Sequence, residues 1–196
     1  SYKKKEVIFH SRSRTKTVYF VYSGEVMLYN LTKHGNRKVI FILGKGRLLN
    51  QSIVSKKPNA LFCEAACPVQ VIEIAEKQFL QLMEQSHALT RSVLREYERN
   101  LWRMGHQLKN TTGNMQMERK IAAKLWKLGR DFGVDTEDGV MIDIDLTITL
   151  MADLVGAPRE NVSRACKVLT DRGLICYGNK RFILIDFDGL AKFYKM

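Results

Sequence analysis

The sequence of 196 residues has no apolar run that approaches the roughly 20 uncharged residues needed to cross a membrane as a helix. Residues 1–6 are polar and basic, so they cannot form the apolar core of a secretory signal peptide. Because the chain lacks an initiator methionine and soon enters the strand-like run 7–9, we expect native sequence before Ser1. Since 45% of the residues are hydrophobic, general disorder is excluded. We expect a cytoplasmic protein with no membrane partner.

The four cysteines and four histidines show neither the C-x-x-C nor the H-x-x-x-H spacing of zinc sites. Cys63 and Cys67 lie in a strand-like stretch, where four residues separate Cα atoms by about 13 Å, too far for a disulfide. We therefore expect reduced thiols and no metal. Paired carboxylates in a cleft-like context, a Ser-His or Cys-His arrangement and a phosphate loop are also missing, so we do not expect an enzyme.

The sequence does carry a large positive charge, +12 with a pI near 9.6, which suits an anionic partner. The charge is unevenly distributed: Lys and Arg outnumber acids by 13 to 2 in residues 1–60 and by 11 to 7 in 61–130, but they number 8 against 11 in 131–196. Within the last third, six bases and only two acids lie between Arg159 and Arg181. Any nucleic-acid surface there must be local.

Strand-like runs rich in β-branched and aromatic residues fill the chain up to about Ile74, among them residues 18–22, 39–43 and 69–74. Turn signals such as Ser23-Gly24 separate these runs at short intervals. This rhythm predicts an antiparallel all-β domain over residues 1–88, a β-roll of the jelly-roll type.

Residues 89–115 form a helical stretch with apolar residues in alternating steps of three and four, typical of a coiled-coil seam. The opposite face has arginines spaced by four, from Arg91 to Arg103, which indicates a solvated face. We expect the helix, over residues 89–112, to pair with its own copy; the alternative is packing on its own β domain. The seam residues are Leu94, Tyr97, Leu101, Met104 and Leu108.

A third domain is expected over residues 113–196. Residues 111–114 read as a hinge, residues 117–128 as a helix, and the acidic, glycine-containing run 131–139 as a loop. Thr147 can cap a further helix that ends at Val155, and another begins at Pro158 and continues to Asp171. Such a pair is typical of a helix-turn-helix, with a small residue, a glycine and a β-branched residue at its packing positions, Ala152, Gly156 and Val162.

The polar face of the second helix has the side chains that base reading requires. We expect base contacts from four of them, Arg159, Glu160, Ser163 and Arg164. Glu160 and Arg164 could also pair with each other. After Gly173 a hairpin is predicted, with Lys180 and Arg181 at its tip near phosphates. The candidate phosphate contacts are Thr147, Asn161, Lys167, Lys180 and Arg181. The alternative is an ordinary helical hairpin with a solvated charged face.

Residues 154–164, LVGAPRENVSR, together with LTDRGLI at 169–175, resemble the winged helix-turn-helix of the bacterial family of the cyclic-AMP receptor protein and the fumarate-nitrate-reduction regulator. The order of β domain, long helix and hinge extends this resemblance over essentially the whole chain. It implies an α+β protein with a β-roll sensor domain, a dimerisation helix and a C-terminal DNA-binding domain, acting as a homodimer on double-stranded DNA, with RNA polymerase a further candidate partner.

In that family the residues matching Glu160 and Arg164 read the TGA part of each half-site. Arg159 is similar to a further base-reading arginine of the cyclic-AMP branch, and Ser163 to the serine of the oxygen-sensing branch. The resemblance therefore implies a TGA-containing palindrome and leaves the first bases of the half-site open.

The effector pocket departs from the family pattern. Its Gly-Glu-Leu and Arg-Ser segments are matched here by residues 50–52 and 59–60, which leaves Gln51, Asn59 and Ala60 as the pocket candidates. Without the arginine, a buried phosphate lacks its countercharge, so we expect a small-molecule or redox signal other than cyclic AMP. The cluster-binding cysteines of the oxygen-sensing branch have no counterpart in this sequence, so the cofactor is unknown.

Another anion could bind the basic β domain, for which Arg47 is one of several candidates, although we favour solvated surface charges for most of these residues. This leaves an alternative function: a sensor module for a small anion that uses its C-terminal domain only for protein contacts.

Overall fold

A computed structural model describes residues 1–55, 57–112 and 115–195, with the side chains of 109–112 excluded. The chain divides into two compact units, one made of Ser1–Gly35 and Val39–Lys109, the other of Asn36–Lys38 and Asn110–Met196. Among the described residues no helix combines the length and apolar character needed to cross a membrane.

The first unit contains six strands in two antiparallel sheets. One sheet has the order β1-β5-β3-β4, and the other pairs β2 with β6. Cores between such sheets depend on side chains that alternate between the two faces of each strand. The strands are β1 Val7–Phe9, β2 Thr17–Ser23, β3 Val26–Leu31, β4 Arg37–Leu43, β5 Phe62–Ala65 and β6 Gln70–Ala75.

Strand β2 shows this alternation most clearly. Tyr19 and Val21 pack into a cluster built from both sheets, whereas Val18 and Phe20 on the opposite face pack into a second cluster with Phe79 and other helical residues. One strand therefore joins the sheet core to the helices. The predicted antiparallel β-rich N-terminal domain is confirmed.

Two helices complete the first unit, α1 (Glu76–Gln85) and the long α2 (His87–Thr112). Val93 is buried and Tyr97 half-buried in the cluster that contains Val18 of β2. The Tyr97 hydroxyl donates to the Asn50 carbonyl at 3.4 Å, and burial raises the pKa of Tyr97 to about 12. The long helix is confirmed, and one of its faces packs on its own β domain, as in the alternative given above.

The solvated face expected from Arg91 to Arg103 is wrong at its last residue. Arg103 is only 6% exposed, and its guanidinium lies 6.0 Å from the centre of the Phe41 ring. The neighbouring polar residue Gln107 donates from Nε2 to the Ile40 carbonyl at 2.9 Å. Polar residues of α2 therefore contact β4, because long side chains can pack their stems on apolar surface.

Four of the five predicted seam residues form an exposed apolar stripe along α2, and Leu101 is 72% exposed. Tyr97 differs, since its ring packs inward and its hydroxyl is engaged by Asn50. Contiguous exposed apolar residues of this kind are typical of interaction surfaces. The stripe consists of Leu94, Leu101, Met104 and Leu108.

The second unit combines four helices with a four-stranded sheet in the order β7-β8-β10-β9. Its fully buried side chains come from every one of these layers, including Leu125 of α3, Leu169 of α5 and Phe182 of β10. The elements are α3 Met117–Phe132, β7 Gly133–Thr136, β8 Gly139–Ile142, α4 Ile148–Val155, α5 Arg159–Asp171, β9 Ile175–Gly178, β10 Arg181–Leu184 and α6 Phe187–Lys195.

The loop predicted at residues 131–139 is wrong for most of its length. α3 continues to Phe132, four residues beyond the predicted end, and residues 133–136 form β7, an edge strand paired with β8. All four β7 residues are exposed, so the strand has no alternating pattern to reveal it. Of the predicted hinge, Thr111 and Thr112 end α2, and Gly113 and Asn114 lie outside the described residues.

Candidate nucleic-acid interface

The predicted helix pair is present, and local signals fix where each helix begins and ends. Thr147 is the N-cap of α4, and its Oγ1 accepts a hydrogen bond from the Leu150 amide at 3.1 Å. Gly156 ends the helix in the left-handed conformation (φ 70°, ψ 49°), where its amide donates to the Ala152 carbonyl at 2.8 Å. A residue with a Cβ is strained at such angles. The cap and the glycine turn between the helices are confirmed.

Helix α5 separates its residues into a buried and an exposed face. Val162 and Leu169 are fully buried, and Ala165 and Cys166 are buried beside them. The periodicity of a helix then places the intervening polar residues on the outside. Six predicted contact residues are exposed there, Arg159, Glu160, Asn161, Ser163, Arg164 and Lys167.

One hydrogen bond orders part of this exposed face. Arg164 Nη2 donates to Asn161 Oδ1 at 2.7 Å, one helical turn earlier. Arg164 is thus oriented by Asn161 rather than by Glu160, the partner considered from the sequence. Among the described residues no hydrogen bond engages the side chains of Arg159, Glu160 or Ser163, which leaves their donors and acceptors available to a partner.

The predicted hairpin is present as β9 and β10, but its tip lies one residue earlier than expected. Gly178 pairs with Arg181, and the two residues between them, Asn179 and Lys180, both have positive φ, 50° and 62°. This is the conformation of a type I′ turn, which matches the twist of a two-residue hairpin. The Lys180 carbonyl accepts from the Leu146 amide at 2.8 Å, which ties the tip to the residue before Thr147.

The two basic residues of the hairpin therefore differ. Lys180 is exposed at the tip, whereas Arg181 is the first residue of β10, half-buried and ion-paired through Nη1 with Asp143. The acid was not predicted as a partner of Arg181, since 38 residues separate the two along the chain. The placement of Arg181 at the tip is wrong, because the turn needs positive φ at Asn179 and Lys180.

The candidate effector residues lie in the loop between β4 and β5. Gln51 is half-buried, Asn59 is 4% exposed, and Ala60 is exposed. The side chains of Gln51 and Asn59 both hydrogen-bond to backbone groups of their own domain. Arg47, a candidate anion ligand, instead contacts Glu96 at 2.5 Å and donates to Asn100 at 3.1 Å, so its charge is already paired.

Two of the four cysteines, Cys63 and Cys166, are buried. Burial raises the pKa of the Cys166 thiol to about 11, and that of Cys63 rises for the same reason. Thiols with raised pKa values are poor nucleophiles and poor metal ligands near neutral pH. Within the described ranges no three His, Cys, Asp or Glu residues are grouped as metal ligands.

Two sequence families match the chain. Residues 1–86 match the family described as cyclic nucleotide-binding domain, and residues 119–193 match the Crp-like helix-turn-helix domain. Together these matches span most of the chain, and each lies on the part of the fold that the sequence assigned to it.

Curated relatives and solved structures agree with these matches. The cAMP-activated global transcriptional regulator CRP of Haemophilus influenzae is 25% identical over 93% of this chain and 82% of that protein. The global nitrogen regulator of Nostoc sp. is 23% identical over 92% of this chain and 82% of that protein. The structure of FixK2 from Bradyrhizobium japonicum has a TM-score of 0.84 at 20% identity, covering 97% of this chain and 93% of that one, which shows the shared fold.

Proposed function

Because the chain belongs to the Crp-Fnr family of transcription regulators, we propose that it acts in the cytoplasm as a homodimer that reads a TGA-containing palindrome in double-stranded DNA. The family consists of regulators rather than enzymes. The observation that carries the proposal is the exposed face of α5, which presents basic, acidic and hydroxyl side chains to solvent. The opposite face of the helix is buried in the core.

The chemistry of the exposed face supports specific roles for its residues. Arg164 and Arg159 can each donate two hydrogen bonds to the O6 and N7 acceptors of guanine, and Glu160 can accept from the cytosine amino group. Ser163 can donate to a base edge or a phosphate. Because Arg164 is already oriented by Asn161, less rotamer entropy is lost when it binds.

Phosphate contacts position such a helix in the groove without reading sequence. We assign this role to Asn161 and Lys167 on α5, to Thr147 at the start of α4, and to Lys180 at the hairpin tip. Arg181 remains a candidate, but its guanidinium would have to bind a phosphate while it is ion-paired with Asp143. It should therefore contribute less than Lys180.

The exposed stripe of α2 supports the homodimer. Leu94, Leu101, Met104 and Leu108 repeat in steps of seven and three or four, so an identical helix across a two-fold axis presents the same surface. Two copies of α5 would then enter successive major grooves about 34 Å apart on a palindrome. RNA polymerase is a further proposed partner, and we propose a controlling signal other than cyclic AMP.

Equilibrium binding to duplexes tests the DNA-binding proposal. The full chain should bind a duplex containing an inverted TGA repeat at least about 1000-fold more tightly than a scrambled duplex of the same length. Both affinities should fall with added salt, because phosphate contacts release counterions. Absence of salt-dependent binding to any duplex would contradict the proposal and favour the small-anion sensor instead.

The dimer is tested by Leu101→Glu, measured by sedimentation equilibrium. In a dimer formed through the stripe, the substitution would bring two carboxylates together and remove two leucines that dimerisation buries. We expect it to weaken the dimer by about 4 kcal/mol, roughly 1000-fold. Leu82→Glu on α1 is the control, since Leu82 is also an exposed leucine on a helix, 46% exposed against 72% for Leu101, but lies outside the stripe. Equal effects of the two variants would contradict dimerisation through α2.

A further inference from the structure

The loop between β4 and β5 uses its polar side chains on itself. We call residues 49–61 the pocket loop; within it Lys56 lies outside the described residues. Asn50, 5% exposed, accepts from the Tyr19 amide at 2.8 Å and donates to the Thr17 carbonyl at 2.9 Å. Its amide group also donates to Thr15 Oγ1 at 3.3 Å. Both N–H donors of this side chain are therefore used within its own domain, and its oxygen already accepts one hydrogen bond.

Gln51 closes the base of the pocket loop. Its Nε2 donates to the Leu49 carbonyl at 2.8 Å, and its Oε1 accepts from the Leu61 amide at 3.3 Å. Leu49 and Leu61 are the two ends of the loop, so one amide side chain bridges them. A ligand that binds through Gln51 would have to break this bridge.

Asn59 anchors the far side of the pocket loop to the segment before β2. The side-chain Nδ2 of Asn59 donates to the Ser13 carbonyl at 3.2 Å, and the backbone amide of Asn59 donates to the same carbonyl at 2.9 Å. The backbone carbonyl of Asn59 accepts from the Arg12 amide at 2.7 Å. The next residue is fixed as well, since the Ala60 carbonyl accepts from Ser11 Oγ at 3.2 Å. Asn59 and Ala60 are the residues that the family resemblance assigns to the phosphate-binding segment.

The pocket loop is also attached to the dimerisation helix. The Asn50 carbonyl accepts from Tyr97 of α2, and Arg47, just before the loop, contacts Glu96 and Asn100 on the same helix. The Arg47 and Glu96 side chains are only 15% and 14% exposed, a burial at which an ion pair is weakly screened by salt. These contacts join the pocket loop, and the segment just before it, to α2.

We infer that Asn50, Gln51 and Asn59 take the place of a ligand: they hold the pocket loop closed and keep α2 docked on the β domain without a bound nucleotide. Cyclic nucleotides then neither bind the loop nor change DNA affinity. The second consequence rests on the proposed DNA-binding function, whereas the first does not.

Calorimetry with millimolar cyclic AMP and cyclic GMP on the full chain tests ligand binding without DNA. We expect no binding heat and no rise in the midpoint of thermal unfolding, since a ligand that binds only the folded state must raise it. Saturable binding of either nucleotide would overturn the inference. A chain that binds no duplex but also no nucleotide would contradict the proposed function and leave this inference standing.

Two further measurements examine the closed loop and its consequence. Asn50→Ala should lower the hydrogen-exchange protection of the Tyr19 amide about tenfold or more, whereas the control Ser52→Ala should not, because Ser52 Oγ pairs only with Ser55 Oγ at 2.8 Å among the described contacts. Equal changes would contradict the role of Asn50. Affinity of the unsubstituted chain for the TGA palindrome should change less than about twofold with either nucleotide, and a tenfold gain would overturn the inference.

Discussion

Polar side chains on the outer face of α5 differ from the buried polar side chains of the pocket loop. On α5, Arg159, Glu160 and Ser163 are exposed and make no hydrogen bond within the described residues. In the pocket loop, Asn50 and Asn59 are buried and bonded to backbone groups. A polar side chain that the fold leaves exposed on a rigid helix is available for recognition, whereas one that satisfies buried backbone groups stabilises the fold.

This contrast changes what the matches to known families imply for each half of the chain. The helix-turn-helix retains both its framework and the exposed chemistry of a DNA reader. The N-terminal domain matches a cyclic nucleotide-binding domain, but Gln51 and Asn59, which the sequence predicted for its pocket, hydrogen-bond to backbone groups of the loop and of the segment before β2. Substitutions on the outer face of α5 should therefore affect DNA specificity, whereas substitutions of the buried polar residues in the pocket loop should affect stability.

Among substitutions in these two regions, the largest effect should come from Asn50→Asp, which alters charge without altering size. The buried carboxylate cannot donate to the Thr17 carbonyl, so we expect the free energy of unfolding at pH 7 to fall by about 3 kcal/mol. Burial raises the folded-state pKa of the introduced carboxyl above its unfolded value of about 4, so the folded state binds more protons between these two values and stability falls as pH rises. Chemical denaturation at pH 4 and pH 7 checks this.

The pH dependence of that loss separates burial from a general packing defect. At pH 4 the protonated carboxyl can both donate and accept, and we expect the loss to shrink to about 1 kcal/mol relative to the unsubstituted chain at the same pH. A loss that is the same at both pH values would show that Asn50 does not hold buried backbone groups.

Glu160→Ala should affect DNA binding and leave the fold unchanged. We expect a loss of about 1–3 kcal/mol in binding to the TGA palindrome and little change on a scrambled duplex, because a base contact is lost and phosphate contacts are not. The free energy of unfolding, measured by thermal denaturation, should stay within about 0.5 kcal/mol of that of the unsubstituted chain, as for most exposed positions. Equal losses on both duplexes would contradict base reading by this residue.

Thr147→Ala should show a smaller effect on stability. The side chain caps α4 by accepting from the Leu150 amide, and losing such a cap costs about 1 kcal/mol. Thr147→Ser retains the hydroxyl and serves as the control. If the alanine variant unfolds at the same denaturant concentration as the serine variant, the cap does not stabilise the helix-turn-helix.

The smallest effect should come from Lys180→Ala at the hairpin tip. The loss of one phosphate contact per subunit should reduce the slope of log affinity against log salt concentration by about 1 for each subunit. The reduction should be the same for all DNA sequences. Arg181→Ala should reduce it less, because Arg181 is paired with Asp143. A larger change for Arg181 than for Lys180 would contradict the assignment of the tip.

The helix-turn-helix could be predicted from sequence because its determinants are local. Thr147, Gly156 and Pro158 each act within one turn of the chain: Thr147 marks the start of α4, Gly156 its end, and Pro158 the start of α5. The division of α5 into two faces follows from helical periodicity alone.

Features that depend on distant partners could not be predicted. The periodicity of α2 identified a polar face but could not show that Arg103 would pack on Phe41, because the contact joins residues of different elements. Strand β7 is defined by its pairing with β8 rather than by any pattern of its own. The side-chain hydrogen bonds of Asn50 could not be predicted either, since a polar residue at this position is equally compatible with binding a ligand or closing the loop.

Selection of bound duplexes from a random pool, with the full chain and no added nucleotide, tests the central claim most directly. The claim is that exposed residues of α5 read bases while the pocket loop needs no nucleotide ligand. We predict enrichment of a palindrome with TGA in one half and its complement TCA in the other, at the same level when cyclic AMP is added. A pool without enrichment, or one enriched only in the presence of cyclic AMP, would contradict it.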